Sequence, residues 1–504
     1  MFDESREEAG ADEPNRQRSQ SVSLGWFCGL CSACLGLVLL ADFLFWKAPL
    51  GWTAGFYGLV LVAAVLAWSR NGEWSAPGTV VACLTGLLLL WCFEQPGILT
   101  VLLALLGIAS VGLVRRSGWT RSGMLWIERW LALVAIGWLR LFRDVGSLRR
   151  GGAEQETGTA RRRGCLGWVV PVLLACVFLF LFWLANPLID RWFDRARVAL
   201  SRLGEFVQFP GRPLFWLVVA FAGWALLRYR SGAEESRLQS TGQKLASRWG
   251  VFRPVVLVRS LVLFNAVFAV QTLLDLYYLW ARGRLPGGMT YAEYAHRGAY
   301  PLVITALLAA VFVLVTFRAE ANRREMAWPR RLVYVWLAQN VFLVVSAAWR
   351  LRLYVDAYTL TRLRVAAAVW MLVVALGLVW IVVRIAGERS NGWLVSVNLV
   401  TAIGVLFVCS FTDVDGRIAW YNARHCREVR GRGPSIDVGY LQSLGPESLP
   451  ALLWLSRRVN ASEPSRRVEQ SVAKLSRRLD QVLGGWRGWS LRRARLKALL
   501  EDRQ

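Results

Sequence analysis

Histidine is almost absent from this chain, with His296 and His425 the only two among 504 residues. That scarcity excludes a histidine-rich metal centre, and the adjacent His425–Cys426 pair lacks the spaced partners that tetrahedral zinc needs. A P-loop, an H-E-x-x-H helix, a G-x-S-x-G elbow and a dinucleotide-binding glycine pattern are all missing. The stretch TDVDGR (Thr412–Arg417) begins like a calcium loop but has neither the later carboxylates nor the terminal glutamate, so it reads as a turn. No cofactor and no metal is expected, and the balance leans away from an enzyme. Acidic residues are also scarce. Against 60 Lys and Arg stand 34 Asp and Glu, a formal net charge of +26.

What fills the chain is apolar sequence, 55% hydrophobic with a mean hydropathy of +0.39. A membrane crossing takes roughly 20 mainly apolar residues over about 30 Å of hydrocarbon. Eleven blocks approach that length: Leu24–Trp46, Gly51–Trp68, Gly78–Phe93, Gly97–Val114, Cys165–Ala185, Leu214–Leu227, Pro254–Trp280, Ala299–Phe317, Leu332–Trp349, Val365–Ala386 and Trp393–Phe411. A twelfth, Leu125–Phe142, is interrupted by Glu128, Arg129 and Arg140 and fits either a crossing or an interfacial helix. Tryptophan, with 27 copies, often sits at block edges, where its amphipathic ring suits the headgroup layer. The fold class is therefore all-α, a polytopic transmembrane bundle of 11–12 spans with a mostly helical basic tail.

The organisation follows from where the apolar blocks stop. Residues 1–23 form a polar leader without apolar periodicity, expected to be disordered, and 24–142 a first bundle. A Gly- and charge-rich linker, 143–164, leads to a second bundle over 165–411 that includes an amphipathic segment, 186–210. Residues 412–504 are soluble in composition. There Val468, Val472, Leu475, Leu479 and Val482 make a stripe of two heptads, expected to dock on the tail itself or on lipid. Trp486–Leu500 reads as a basic amphipathic helix.

The arginine clusters lie between spans, which points to topology setting and to lipid bilayer with anionic headgroups as partners. A protein partner for the tail is also open, whereas nucleic acid is not expected. Placing the basic Arg115–Gly164 loop inside puts the tail outside if there are eleven spans; twelve would reverse that parity.

Three polar constellations interrupt the apolar pattern. In GGMTYAEYAHRGAYPL (Gly287–Leu302), Thr290 and Glu293 have capping-box spacing, leaving Tyr291, Tyr294 and His296 beside one another. In the preceding span Asn265, Gln271, Thr272 and Asp275 fall on one helical face, and an ionisable residue inside a membrane usually faces a cavity or a partner helix. Gln339 and Asn340 are candidates to face them. In WRLRLYVDAYTLTRLR (Trp349–Arg364), a helical reading gives an Arg352–Asp356 pair and a neighbouring row of Tyr354, Tyr358 and Arg362, suited to phosphate or carboxylate. The candidate functional residues are thus Asn265, Gln271, Asp275, Tyr291, Glu293, Tyr294, Arg352, Asp356, Tyr358 and Arg362.

TYAEYAHRG, then LYVDAYTLTRLR, then IDVGYLQSLGPESLPAL (Ile436–Leu452) together resemble a bacterial family of polytopic membrane proteins known as a domain of unknown function. The resemblance covers Pro254–Leu452. It implies a bacterial cytoplasmic-membrane location and no particular chemistry. The family's middle motif usually has glycine where this chain has Thr359, and its first has arginine where His296 stands. Three functions remain in view: a scaffold or envelope component, a transporter or lipid-moving protein using the polar face around Asp275 with Glu293 and Arg352, and a membrane transferase with Glu293 or Asp356 as base.

Overall fold

The computed structural model describes residues 24–69, 75–137, 141, 211–228, 254–280, 327–459 and 463–502. Among these described residues there are sixteen α-helices and no strand. They fall into two compact units, one drawn from 1–42 and 133–228, the other from 43–132 and 229–504. The candidate site lies in the second.

In chain order the apolar helices are α1 (Leu24–Phe45), α2 (Thr53–Trp68), α3 (Ala76–Glu94), α4 (Ile98–Ser117), α5 (Gly123–Ile136), α6 (Gly211–Arg228), α7 (Pro254–Asp275), α8 (Ala327–Tyr358), α9 (Arg362–Ala386) and α10 (Asn391–Ser410). Three of them, α3, α9 and α10, start at short polar side chains that satisfy free N–H groups of the first turn. Ser75 accepts from Gly78 N–H, Thr361 from Arg364 N–H, and Ser390 from Trp393 N–H.

Six helical segments are long and apolar enough to cross a membrane: Phe27–Phe45, Ala76–Glu94, Ile98–Ser117, Arg331–Tyr358, Arg362–Ala386 and Asn391–Ser410. Three shorter apolar helices, Thr53–Trp68, Phe215–Arg228 and Leu261–Val270, accompany them. Large apolar side chains such as Leu90, Leu102, Leu363 and Val400 stay more than half exposed, a surface that water would not tolerate over this extent and lipid covers. The protein is a multipass, all-α membrane protein.

The blocks Cys165–Ala185 and Ala299–Phe317, the leader, the 143–164 linker, the 186–210 segment and the Gly287–Leu302 stretch lie outside the described residues. Of Leu125–Phe142, the described helix α5 has 14 residues, about 21 Å at 1.5 Å per residue and short of the hydrocarbon thickness.

After α10 the chain forms α11 (Val414–His425), α12 (Arg427–Arg430), α13 (Val438–Ser443), α14 (Leu449–Ser456), α15 (Glu463–Leu483) and α16 (Leu491–Glu501). Ile418, Leu441, Leu452, Leu455, Leu475 and Leu479 close its core, each almost wholly buried and so stabilising by about 1.5–3 kcal/mol. The heptad-like stripe thus packs inside the tail, with Val468, Leu475 and Leu479 buried and Val472 beside them. Leu360 and Val365, from the α8–α9 connection, pack against the same core.

The tail meets the bundle along one face. Trp52 N–H donates to Trp489 O at 2.8 Å, its indole to Trp486 O at 2.9 Å, and Arg493 to Leu50 O at 2.7 Å. A Cβ on Gly51 would stand 2.1 Å from Arg487 O, so only glycine permits this approach. Arg492 pairs with Asp413 and reaches Gln95 Oε1 at 3.2 Å, while Arg495 meets Glu94 at 2.9 Å. The basic segment after Trp486 is therefore spent on the bundle's loops. Because α2, α4 and α9 run away from this face, the opposite one carries Arg115, Arg116, Arg121, Arg331, Arg384 and Arg389.

Candidate functional site

Two places gather the polar residues. The first is between α7 and α8. Asp275 ends α7 wholly buried and pairs with Arg350, which is 3% exposed, so this is an ion pair in the helix interface. Removing either partner of such a pair strands a buried charge, whereas replacing both by apolar groups is often neutral. Immediately after Asp275 the chain loosens into a π-helical turn, Leu276–Trp280, whose Trp280 indole donates to the buried Ser346 Oγ at 3.1 Å. Arg350 lies eight residues before the end of α8, about 12 Å below the α8–α9 loop.

Asn265 is buried on the same helix and ties α7 to α8, donating to Leu332 O at 3.0 Å as well as to Leu261 O at 2.8 Å. Gln339 answers from α8 with a bond to Asn265 O at 3.3 Å, whereas Asn340 turns back to Trp336 O at 2.8 Å. These amides fasten helices together. The side chain of Gln271 and the whole of Tyr291, Glu293 and Tyr294 lie outside the described residues.

The second place is where α8 ends. The helical reading of Trp349–Arg364 is corrected here, because α8 stops at Tyr358, three residues intervene and α9 begins at Arg362. The break falls at Thr359, whose φ is +72°, a conformation costly for a β-branched residue and free for glycine. Arg352 and Asp356 do not form the expected i, i+4 pair. Arg352 stacks over Trp349 at 5.8 Å, while Asp356 lines a cavity that Tyr421 of α11 also lines. Nor does Arg362 extend the tyrosine row. Tyr354 and Tyr358 pack ring to ring at 4.9 Å, and Arg364 lies 4.4 Å over Tyr354.

Arg362 instead grips the tail. Its guanidinium donates to both oxygens of Asp415 at 2.6 and 2.8 Å and to Leu444 O at 3.3 Å, and its backbone N–H donates to Tyr440 Oη at 2.9 Å. Two residues back, the buried Asn422 accepts from Leu360 N–H at 2.7 Å and donates to Leu360 O at 2.8 Å. Asn422 thus pairs with this loop as a strand neighbour would. The TDVDGR stretch is not a free turn: Asp413 caps α11 by accepting from Gly416 N–H at 2.9 Å, and Asp415 holds Arg362.

Beside this clamp lies a polar cavity of about 390 Å³, lined by Asp356 and Thr359 on one wall and Tyr421, His425, Arg430 and Arg432 on the other. The His425 ring stacks on Tyr421 at 4.1 Å and its Nδ1 lies 2.8 Å from Tyr421 O. Burial, then the charge of Asp356, raises the Tyr421 hydroxyl pKa, so it stays a hydrogen-bond donor at neutral pH. A second cavity, about 380 Å³, sits among α3, α4, α5 and α10 and is walled mainly by apolar side chains such as Leu84, Leu88, Leu103 and Ile403.

Sequence spacing does not single out Arg350, Asp415, Asn422, Tyr421 or Tyr440. Asn422 left a trace, since it stands among Ile418, Ala419 and Ala423 on the apolar side of α11, where an amide needs a partner. Comparison with curated proteins and with solved structures returns no match. The model of one family, described as a domain of unknown function (DUF4153), matches residues 18–455. That match takes in the first half of the chain as well as the three ordered motifs, two of which meet where Arg362 bonds to Tyr440; the chain belongs to this DUF4153 family.

Proposed function

We propose that the protein is a non-catalytic scaffold of the bacterial cytoplasmic membrane that holds a folded helical tail against the extracytoplasmic face of its bundle. The observation that carries this reading is the clamp at the α8–α9 loop. Arg362, a candidate for phosphate or carboxylate binding, is consumed in holding the tail through Asp415, and Asp413 is taken by Arg492. The side is argued from charge: the bundle's short connections carry most of their arginines on the face away from the tail, and such loops stay in the cytoplasm. An outward tail of net basic composition then meets anionic headgroups or an envelope protein.

The buried Asp275–Arg350 pair beside a π-helical turn favours a second reading, a transporter whose pathway uses this pair. One experiment separates the two. In a deletion strain, Asp275→Asn combined with Arg350→Gln removes the charges together, whereas Asn422→Ala loosens the tail. The scaffold reading expects the first variant to rescue the deletion phenotype fully and the second to fail. The opposite pattern contradicts it.

A further inference from the structure

The cavity beside the clamp has two poles. On its tail wall are Arg430 and Arg432, and on its α8 wall the carboxylate of Asp356. Arg430 spends only its Nε, on Arg424 O at 2.9 Å, and neither arginine forms an ion pair among the described residues. The nearest acid in sequence, Glu428, turns to the backbone instead, both of its oxygens accepting from Ile436 N–H at 3.1 and 3.0 Å.

The loop that carries the arginines is built rather than loose. Arg427 Nε donates to Gly433 O at 3.1 Å, and Gly431 and Gly433 have φ of +71° and +99°. On the opposite wall Asn422 fixes Leu360, and with it Thr359. Tyr421 lines the same cavity as Asp356 and Arg430, and the charges of both act on its hydroxyl. His425 donates Nδ1–H to Tyr421 O and lines the same wall.

A plain phosphate site would be weakened by a carboxylate in its wall, and a plain ammonium site by two arginines. A cavity with both suits a ligand with both charges. We propose that it binds a phosphate ester carrying a primary ammonium, the chemistry of a phosphoethanolamine group, with the phosphate on Arg430 and Arg432 and the ammonium on Asp356. Guanidinium presents a fixed fork to phosphate oxygens, and the cavity volume lies within the range of small-molecule pockets. The proposal goes beyond the scaffold reading and stands without it.

Calorimetric titration of the purified full chain in detergent tests it, with phosphoethanolamine and inorganic phosphate as probes. The expected result is at least tenfold tighter binding of phosphoethanolamine. Asp356→Asn should bring that preference to within threefold while phosphate binding holds or tightens. Arg430→Ala with Arg432→Ala should weaken both probes at least tenfold; if that variant misfolds, the two lysine replacements should keep part of the affinity by charge alone. Equal affinity for the two probes in the native chain, or a preference that survives Asp356→Asn, overturns the proposal. Two nanodisc compositions identify the source. Loss of phosphoethanolamine binding in phosphatidylethanolamine discs, but not in phosphatidylglycerol discs, assigns the site to a lipid headgroup; equal binding in both assigns it to a soluble ester.

Discussion

Thr359 holds a backbone conformation that threonine resists, with φ of +72° at the point where α8 must stop and α9 begin. The left-handed region costs a non-glycine residue about 1–2 kcal/mol, and glycine returns part of that through its freer unfolded chain. Thr359→Gly should therefore stabilise the junction by about 1 kcal/mol, read as a higher denaturant midpoint for the tail. Glu447 is a second residue under tension. Burial raises its carboxyl pKa, more than Arg493 and Arg492 lower it. A raised folded-state pKa in an acid means that the folded protein holds the proton more tightly, so stability is greatest at low pH and falls as pH rises through the unfolded value. Glu447→Gln should flatten that loss between about pH 4 and neutrality, which thermal unfolding across the range would show.

Among elements, the α8–α9 loop and α11 form the junction on which the tail depends, and its bonds are unequal. Arg362 is half exposed, and an exposed pair contributes at most about 1 kcal/mol even when bidentate. Asn422 is buried and satisfies both backbone groups of Leu360, so its loss leaves them without partners at about 1–3 kcal/mol each. Hydrogen exchange of α11 and the 359–361 loop should then rank Asn422→Ala well above Arg362→Lys. The helices themselves are written plainly in the sequence, because apolar runs of spanning length and serine or threonine caps act locally. Asp275 was legible as a costly polar residue, yet its partner was not. Arg350 and Arg352 read alike in sequence, and only the packing of α7 on α8 buries one and leaves the other over Trp349. The break at Thr359 also escaped helical periodicity, since the residue that holds the loop beside it, Asn422, lies more than fifty residues downstream.

For the molecule as a whole, the tail fastens to the connection before α2, the end of α3 and the α8–α9 loop, all on one face of the same unit. The arginine-bearing ends of α4 and α9 lie on the other face. Apolar block counting left the side of the tail dependent on whether there are eleven or twelve spans. The clamp replaces that count with geometry, because whichever side holds α16 also holds Leu360. Two reporter insertions measure this directly, one after Gln504 and one in the α9–α10 loop at Gly387, each scored for cytoplasmic fluorescence and extracytoplasmic phosphatase activity. The account predicts phosphatase activity after Gln504 and fluorescence at Gly387. Fluorescence after Gln504 would contradict the extracytoplasmic tail, and the same signal at both positions would contradict the clamped face itself.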